Sequence, residues 1–167
     1  MDIPGPQSEI PPCLPRELVS SGLFLLARIG SAAKMEAMES LEREGVGPYA
    51  YAVLALLAEG TREAQTTIAD SLGLNRSMLV GVLDEMEERG WIERRRHPVD
   101  RRRQIVSATA AGRRQLRRFR ALAERLEAEG LEPLDEEERA TLHGLLLRIA
   151  THRDQRYLDV GERAAAR

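Results

Sequence analysis

Residues 72–108 read LGLNRSMLVGVLDEMEERGWIERRRHPVDRRRQIVSA, and one change of period inside this stretch decides the fold. In its first half Leu79, Val82, Leu83 and Met86 recur three, four and seven residues apart, the spacing of a single helical face. Asn75 stands where an N-cap belongs and Gly90 where a helix stops, so the pattern predicts a helix from Asn75 to Arg89. The opposite face of that helix carries Arg76, Ser77, Val80, Gly81 and Asp84. After Gly90 the period shortens. Trp91–Arg96 and Arg103–Ala108 read as two short strands, and His97-Pro98-Val99-Asp100-Arg101-Arg102 between them is turn-forming, so the two make a β-hairpin.

Outward toward the N-terminus, Gly73 between Leu72 and Leu74 permits a tight reversal from a short helix, Ile68–Leu72, that Thr66 or Thr67 can cap. A strand precedes it. Tyr49–Glu59 is nearly all apolar and must be a helix buried on most sides, opened by Pro48 and ended by Gly60. From Arg16 to about Glu44 there is no proline, and Leu18, Leu25, Ile29, Ala33 and Leu41 recur near helical spacing, which predicts one long helix stopped by Gly45 and Gly47. Residues 1–15 hold five prolines and are expected to be a flexible arm. On the C-terminal side Thr109 caps a helix whose inner face is Leu116, Phe119, Leu122, Ala123 and Leu126. Asp135 with Glu138 forms a capping box for a last helix running through Leu142, Leu145, Leu146 and Ile149 toward Tyr157. Residues 159–167 are expected to fray.

Helix, helix, strand, helix, turn, helix, hairpin, helix, helix is the order of a winged helix-turn-helix. The expected class is therefore mainly α (α+β), with long N- and C-terminal dimerisation helices and one small β-hairpin wing. Residues 48–112 form the winged lobe, flanked by a dimerisation helix at 16–47 and dimerisation helices at 113–158. Long amphipathic helices need a partner surface, and the compact middle is too small to cover them all, so a second copy of the chain is the economical partner.

Composition supports a single unit with helical extensions. In 167 residues, 43% are hydrophobic, enough for a core, and 31% are charged, while 4% are aromatic. No apolar run reaches the ~20 residues needed to span a bilayer, and no basic region followed by an apolar run opens the chain. The lone Cys13 rules out an internal disulfide and fits a reducing cytoplasm. The net charge of −2 is unevenly spread: residues 61–120 hold 14 Arg against 8 acidic residues, and the remainder 11 basic against 19 acidic. A cationic island in an acidic protein fits a nucleic-acid footprint, and it also fits a solvated arginine-rich surface.

The residue types on the second helix of the helix-turn-helix favour the former. Arg76 can donate a fork to guanine, Ser77 can reach a base or phosphate, and Met78 and Val80 can meet thymine methyls. Arg94, Arg95, Arg96, Arg101, Arg102 and Arg103 flank the hairpin turn, with only Glu93 and Asp100 as counter-charges. Such a tip suits a narrow, electronegative minor groove. Asp100 is expected to brace the tip. The DNA-contacting set is thus Thr66, Thr67, Asn75, Arg76, Ser77, Met78, Val80, Arg96, Arg101, Arg102 and Arg103. The competing reading is a winged-helix protein-interaction module whose arginines meet an acidic protein.

The sequence also resembles a known family. Gly45-Val46-Gly47-Pro48-Tyr49-Ala50-Tyr51-Ala52-Val53-Leu54 is similar to the second-helix entry of MarR regulators (multiple antibiotic resistance regulators). Thr67–Leu72 and Asn75–Leu79 resemble that family's helix-turn-helix, and Asp84–Ile92 the exit of its recognition helix. Asp100-Arg101-Arg102, followed by Val106, Thr109 and Gly112, resembles its wing signature, with Ala108 where a Leu is usual. The resemblance, spanning about Leu18–Arg156, implies a triangular dimer reading a pseudo-palindromic operator, most simply as a repressor. It further implies a crevice for a small aromatic or anionic effector, with Phe24, Arg28, Met35, Tyr49 and Phe119 as candidate lining. Arg28, among Leu25, Leu26 and Ile29, is expected to need an anion or carboxylate. Leu23 stands where the hydroperoxide-sensing branch has its cysteine, so that chemistry is not implied.

Enzyme chemistry has no support in the residues. His143 and His152 lie nine apart with no Cys or close His partner for a metal, and His97 with Asp100 has no nucleophile nearby. There is no phosphate loop or dinucleotide fingerprint. The expectation is a cytoplasmic, cofactor-free, non-enzymatic regulator whose partners are double-stranded DNA, a second copy and a small effector.

Overall fold

A computed structural model describes residues 13–60, 63–96 and 104–157. Most of the proline-rich arm, the hairpin tip 97–103 with Asp100, Arg101, Arg102 and Arg103, and the tail from residue 158 lie outside the described residues. The elements are α1 (Arg16–Val19), α2 (Gly22–Arg43), α3 (Pro48–Gly60), β1 (Glu63–Ala64), α4 (Gln65–Leu72), α5 (Arg76–Glu88), β2 (Ile92–Arg96), β3 (Gln104–Ala108), α6 (Ala110–Gly130) and α7 (Glu136–Arg153), with a closing 3-10 turn (Gln155–Tyr157).

Burial of α3 organises them. Its sequence, PYAYAVLALLAEG, has no polar face, and Val53, Leu54 and Leu57 are almost wholly shielded from solvent. Around them close Ile68 of α4, Leu79, Leu83 and Met86 of α5, Ile92 and Val106 of the sheet, and Leu116 and Phe119 of α6. Phe119 meets Tyr51 and Trp91 edge-to-face, at centroid distances of 5.9 and 6.0 Å, a preferred aromatic geometry. The sheet is antiparallel in the order β1-β3-β2. In the hairpin Ile92 faces Ala108 and Arg96 faces Gln104, while Glu63 and Ala64 pair with Val106 and Ile105. The two-residue strand before the helix-turn-helix thus joins the wing sheet.

Two local expectations are corrected. The helix expected over 16–44 is two, broken at Ser20–Ser21. The Ser20 hydroxyl donates to the Arg16 carbonyl at 2.7 Å, and Ser21 leaves helical geometry to accept from the Phe24 amide at 3.3 Å. Adjacent serines offer the backbone competing hydrogen bonds, which apolar periodicity does not register. The second correction concerns α4, which begins at Gln65. Its cap position is Ala64, whose extended backbone continues directly from β1, and no side chain caps it. Thr66 and Thr67 therefore sit inside the first turn, exposed.

Other caps fall where the residues place them. Asn75 accepts from the Met78 amide at 2.8 Å, and Asp135 with Glu138 completes a capping box. Thr109 accepts from the Gly112 amide at 3.0 Å, while its hydroxyl donates to the Gly90 carbonyl at 2.6 Å. Gly112 itself is dictated by contact: a Cβ there would lie 2.0 Å from the backbone oxygen of Trp91. The start of α6 is thereby pressed against the strand that leaves α5.

The outer helices differ in kind. Among the described residues α7 buries no side chain and α2 only Ser40, while Leu23, Ile29 and Met35 are more than 60% exposed.

Replacing Gly112 by Ala should force backbone apart at the junction of α6 and β2, at a cost of about 1–3 kcal/mol. Chemical denaturation of the variant tests this, and unchanged stability would contradict the packing described.

Candidate nucleic-acid interface

The turn between α4 and α5 is built from three residues. Gly73 adopts φ 63°, in the left-handed region where a side chain is strained, and the Leu74 amide returns to the Ala69 carbonyl at 2.9 Å. Asn75 then starts α5. Its Oδ1 accepts both the Met78 amide and the Ser77 hydroxyl, each at 2.8 Å. That oxygen is engaged in the cap, leaving the Asn75 amide group and the Ser77 oxygen facing outward.

The buried stripe of Leu79, Leu83 and Met86 fixes the roll of α5, so Arg76, Ser77, Met78, Val80, Gly81 and Asp84 face solvent. Arg76 and Val80 line an open groove of about 570 Å³ with Thr66, Asp70 and Gln104. The structure thus brings Thr66, Arg76 and Val80 together from the expected set. Thr67 is exposed on the first turn of α4 but is absent from that lining, and Arg96 is exposed at the end of β2 beside Gln104. Two groove residues escaped sequence reasoning. Gln65 donates from Nε2 to Oε1 of Gln104 at 3.3 Å, linking α4 to the wing. A lone Gln on each of two elements carries no periodic signal.

The charge inventory of the hairpin needs correction. Arg94 is not a free wing cation: its Nη1 meets Asp84 at 2.7 Å, its Nε donates to Glu87 at 2.9 Å, and its backbone amide donates to the same carboxylate at 3.2 Å. The Arg94 hydrogen bond holds the Glu87 carboxyl below its ordinary value, against an opposing desolvation, and the Glu87 bond raises the Arg94 guanidinium. Arg95 pairs with Glu93 at 2.9 Å. One turn of helix brings Asp84 and Glu87 onto the same side, and the reversal at Gly90 carries Arg94 back over them. Asp84 and Glu87 are thereby drawn toward β2, and the helix carries no carboxylate before Asp84.

Arg89 secures the other end of α5. Its guanidinium pairs with Glu85 at 2.9 Å, lies 5.1 Å from the Trp91 ring centroid and donates to the Gly45 carbonyl between α2 and α3.

The residues expected to line an effector crevice are dispersed. Phe119 is buried in the core, Phe24 is half-buried, and Arg28, Met35 and Tyr49 are exposed. Phe119 borders a groove of about 370 Å³ with Glu44, Arg118, Ala121, Leu122 and Arg125, which includes none of the other four. Leu25, Leu26 and Ile29 are themselves exposed, so Arg28 is solvated in the single chain and the expected need for an anion does not arise there. Among the described residues, no cluster of His, Cys, Asp and Glu is arranged to hold a metal, and no helix is long and apolar enough to cross a membrane.

Residues 48–103, from the start of α3 through the wing, match the model of the MarR family. The chain belongs to the MarR family. It is 35% identical over 106 residues to a protein of Thauera aromatica named as a transcriptional regulatory protein for the hcr operon. The match covers 64% of either chain, so this chain spans just under two thirds of that relative. A MarR-family transcriptional regulator from a Rhodococcus species superposes with a TM-score of 0.69 at 29% identity, over 81% of this chain and 96% of that one. CouR from Rhodococcus jostii, solved with p-coumaroyl-CoA bound, superposes with a TM-score of 0.67 at 30% identity, over 81% and 96%. The Thauera protein and the first Rhodococcus protein are named for transcriptional regulation.

Because the folded-state pKa of Glu87 is lowered, its ion pair contributes fully above the ordinary value of 4.5 and is lost as pH falls through the folded-state value. At about pH 7, Glu87→Gln should cost about 0.5 kcal/mol, the scale of a partly exposed pair. Urea denaturation at about pH 7 and about pH 3 should show that difference shrinking in acid. A difference that persists undiminished at the lower pH would contradict the pairing.

Proposed function

We propose that this MarR-family chain is a sequence-specific DNA-binding transcriptional repressor that acts in the cytoplasm as a homodimer on a pseudo-palindromic operator. One observation carries the reading: α5 presents Arg76, Ser77, Met78 and Val80 to solvent at its N-terminal end, while Asp84 and Glu87 pair with Arg94 and Glu85 with Arg89. Base edges in a major groove are read by such an end. Thr66, Thr67 and Asn75 flank the helix and Arg96 ends β2, while Arg101, Arg102 and Arg103, with Asp100 as their brace, are the proposed minor-groove contacts and lie outside the described residues.

Dimerisation is supported by the apolar side chains left exposed on the outer helices, among them Leu26 and Ile29 of α2 and Leu145, Leu146 and Ile149 of α7. Residues 16–47 and 113–158 supply this interface, and 48–112 the DNA-reading lobe. The acyl-CoA bound to CouR supports an effector of lipophilic, anionic character, taken up where a second copy completes the walls around Phe24, Arg28, Met35, Tyr49 and Phe119. Its binding would relieve repression.

Arg76→Ala is the direct test of the reading. On a duplex enriched by the wild-type protein from a random pool, the substitution should cost on the order of 1–3 kcal/mol and relax preference at one base position. Equal losses on enriched and scrambled duplexes would reduce Arg76 to a phosphate contact. If the wild type enriches no sequence but captures an acidic protein surface, the protein-interaction reading replaces this one.

Ile29→Glu combined with Ile149→Glu should convert the dimer to a monomer, as measured by sedimentation. A dimer of unchanged affinity would place the interface elsewhere.

A further inference from the structure

After α7 the chain turns through a single 3-10 turn, and Arg156 comes back against the helix-turn-helix from 86 positions along the sequence. Asp154 holds this arginine in one orientation. Its carboxylate accepts Nε at 2.9 Å, Nη2 at 2.6 Å and the Arg156 backbone amide at 3.0 Å. A guanidinium gripped along one edge by a carboxylate keeps its remaining donor aimed in a fixed direction. Here that donor, Nη1, points to the carbonyl of Asp70 at 3.4 Å.

That carbonyl is no arbitrary acceptor. It lies in the last turn of α4, where the helix dipole leaves partial negative charge, and it also accepts the Gly73 amide at 3.3 Å. A carbonyl oxygen has two lone pairs, so both donors can be accommodated. The guanidinium also lies over the turn itself: a Cβ on Gly73 would come within 2.5 Å of Nη1. Gly73, which Arg156 overlies, fixes the angle between α4 and α5 and hence the aim of the recognition helix.

We propose that Arg156, held by Asp154, is a positioning residue that clamps the helix-turn-helix turn to the end of the last helix. The inference rests on the DNA-reading function proposed above. It assigns the C-terminal turn a part in operator recognition without contact to DNA. An exposed ion pair contributes little to global stability, so the clamp acts on the orientation of α5 rather than on whether the chain folds. It also gives α7, otherwise free of buried contacts in this chain, a mechanical connection to the reading head.

Three variants, Arg156→Ala, Arg156→Lys and Asp154→Asn, test the clamp against the wild type. Each is measured on the duplex enriched by the wild type and on a scrambled duplex, with amide hydrogen exchange at residues 69–75 of the free proteins. All three should bind the enriched duplex about two- to fivefold more weakly, bind the scrambled duplex as the wild type does, and exchange faster at Gly73 and Leu74. Lysine should fail to rescue, because one ammonium cannot take the carboxylate along an edge and still reach the Asp70 carbonyl. Asp154→Asn is the deciding variant. It frees a cation near the reading head, so if Arg156 served as a phosphate contact this variant would bind both duplexes more tightly, and that result overturns the clamp. Unchanged exchange at residues 69–75 overturns it as well, whatever DNA does. A wild type that prefers no sequence but whose variants exchange faster would retain the clamp and reject the DNA reading.

Discussion

The shielding of α3 from water is the constraint on which the remaining structure depends. A helix without a polar face has to be covered from several directions, and α2, α4, α5, α6 and β3 all touch it. Covering it sets the roll of α5, because Leu79, Leu83 and Met86 must turn inward together. The outward direction of Arg76 and Ser77 follows from that burial rather than from any polar interaction of their own. The reading face is therefore a by-product of core formation, and a substitution that loosens Leu54 or Leu57 would reach it through the roll of the helix.

Electrostatics refine what burial leaves coarse. Arg94 draws Asp84 and Glu87 toward β2, Arg89 ties the C-terminal end of α5 to the carbonyl of Gly45, and Thr109 and Gly112 lock α6 onto the carbonyls at the strand entrance. Each contact joins elements that are adjacent in the core but carry different loads. Individually they are weak, since most are partly exposed. Their common effect is to hold α5 between β2 and the α2–α3 junction.

Much of this was legible in the residues. The stripe Leu79-Val82-Leu83-Met86, the Asn75 cap and the Asp135–Glu138 capping box are local signals, and local geometry realises them. What escaped depends on partners distant in sequence or on competition within a turn. The break at Ser20–Ser21 arises from hydroxyls bonding to nearby backbone. The uncapped start of α4 arises because the strand before it pairs with β3 and runs from Ala64 directly into the helix. The run of arginines around Arg94 is uniform in sequence, whereas the hairpin separates them: Arg94 folds back over α5 and Arg96 does not. Phe24, Arg28, Met35 and Tyr49 do not converge for a related reason. Arg28, Met35 and Tyr49 are exposed and Phe24 half-buried, on helices whose outer faces stay uncovered in this chain.

The surface around Arg76 is proposed to meet the phosphates and base edges of duplex DNA. The most direct measurement is the affinity of the wild-type protein for its enriched duplex as a function of salt. Neutralised phosphates release counterions, so the logarithm of the association constant should fall linearly with the logarithm of salt concentration, at about −0.9 per phosphate contacted. A slope of several units, steeper for the enriched duplex than for an acidic polypeptide of equal charge, is expected. An affinity that does not respond to salt, or no retention of duplex at low salt, would contradict it.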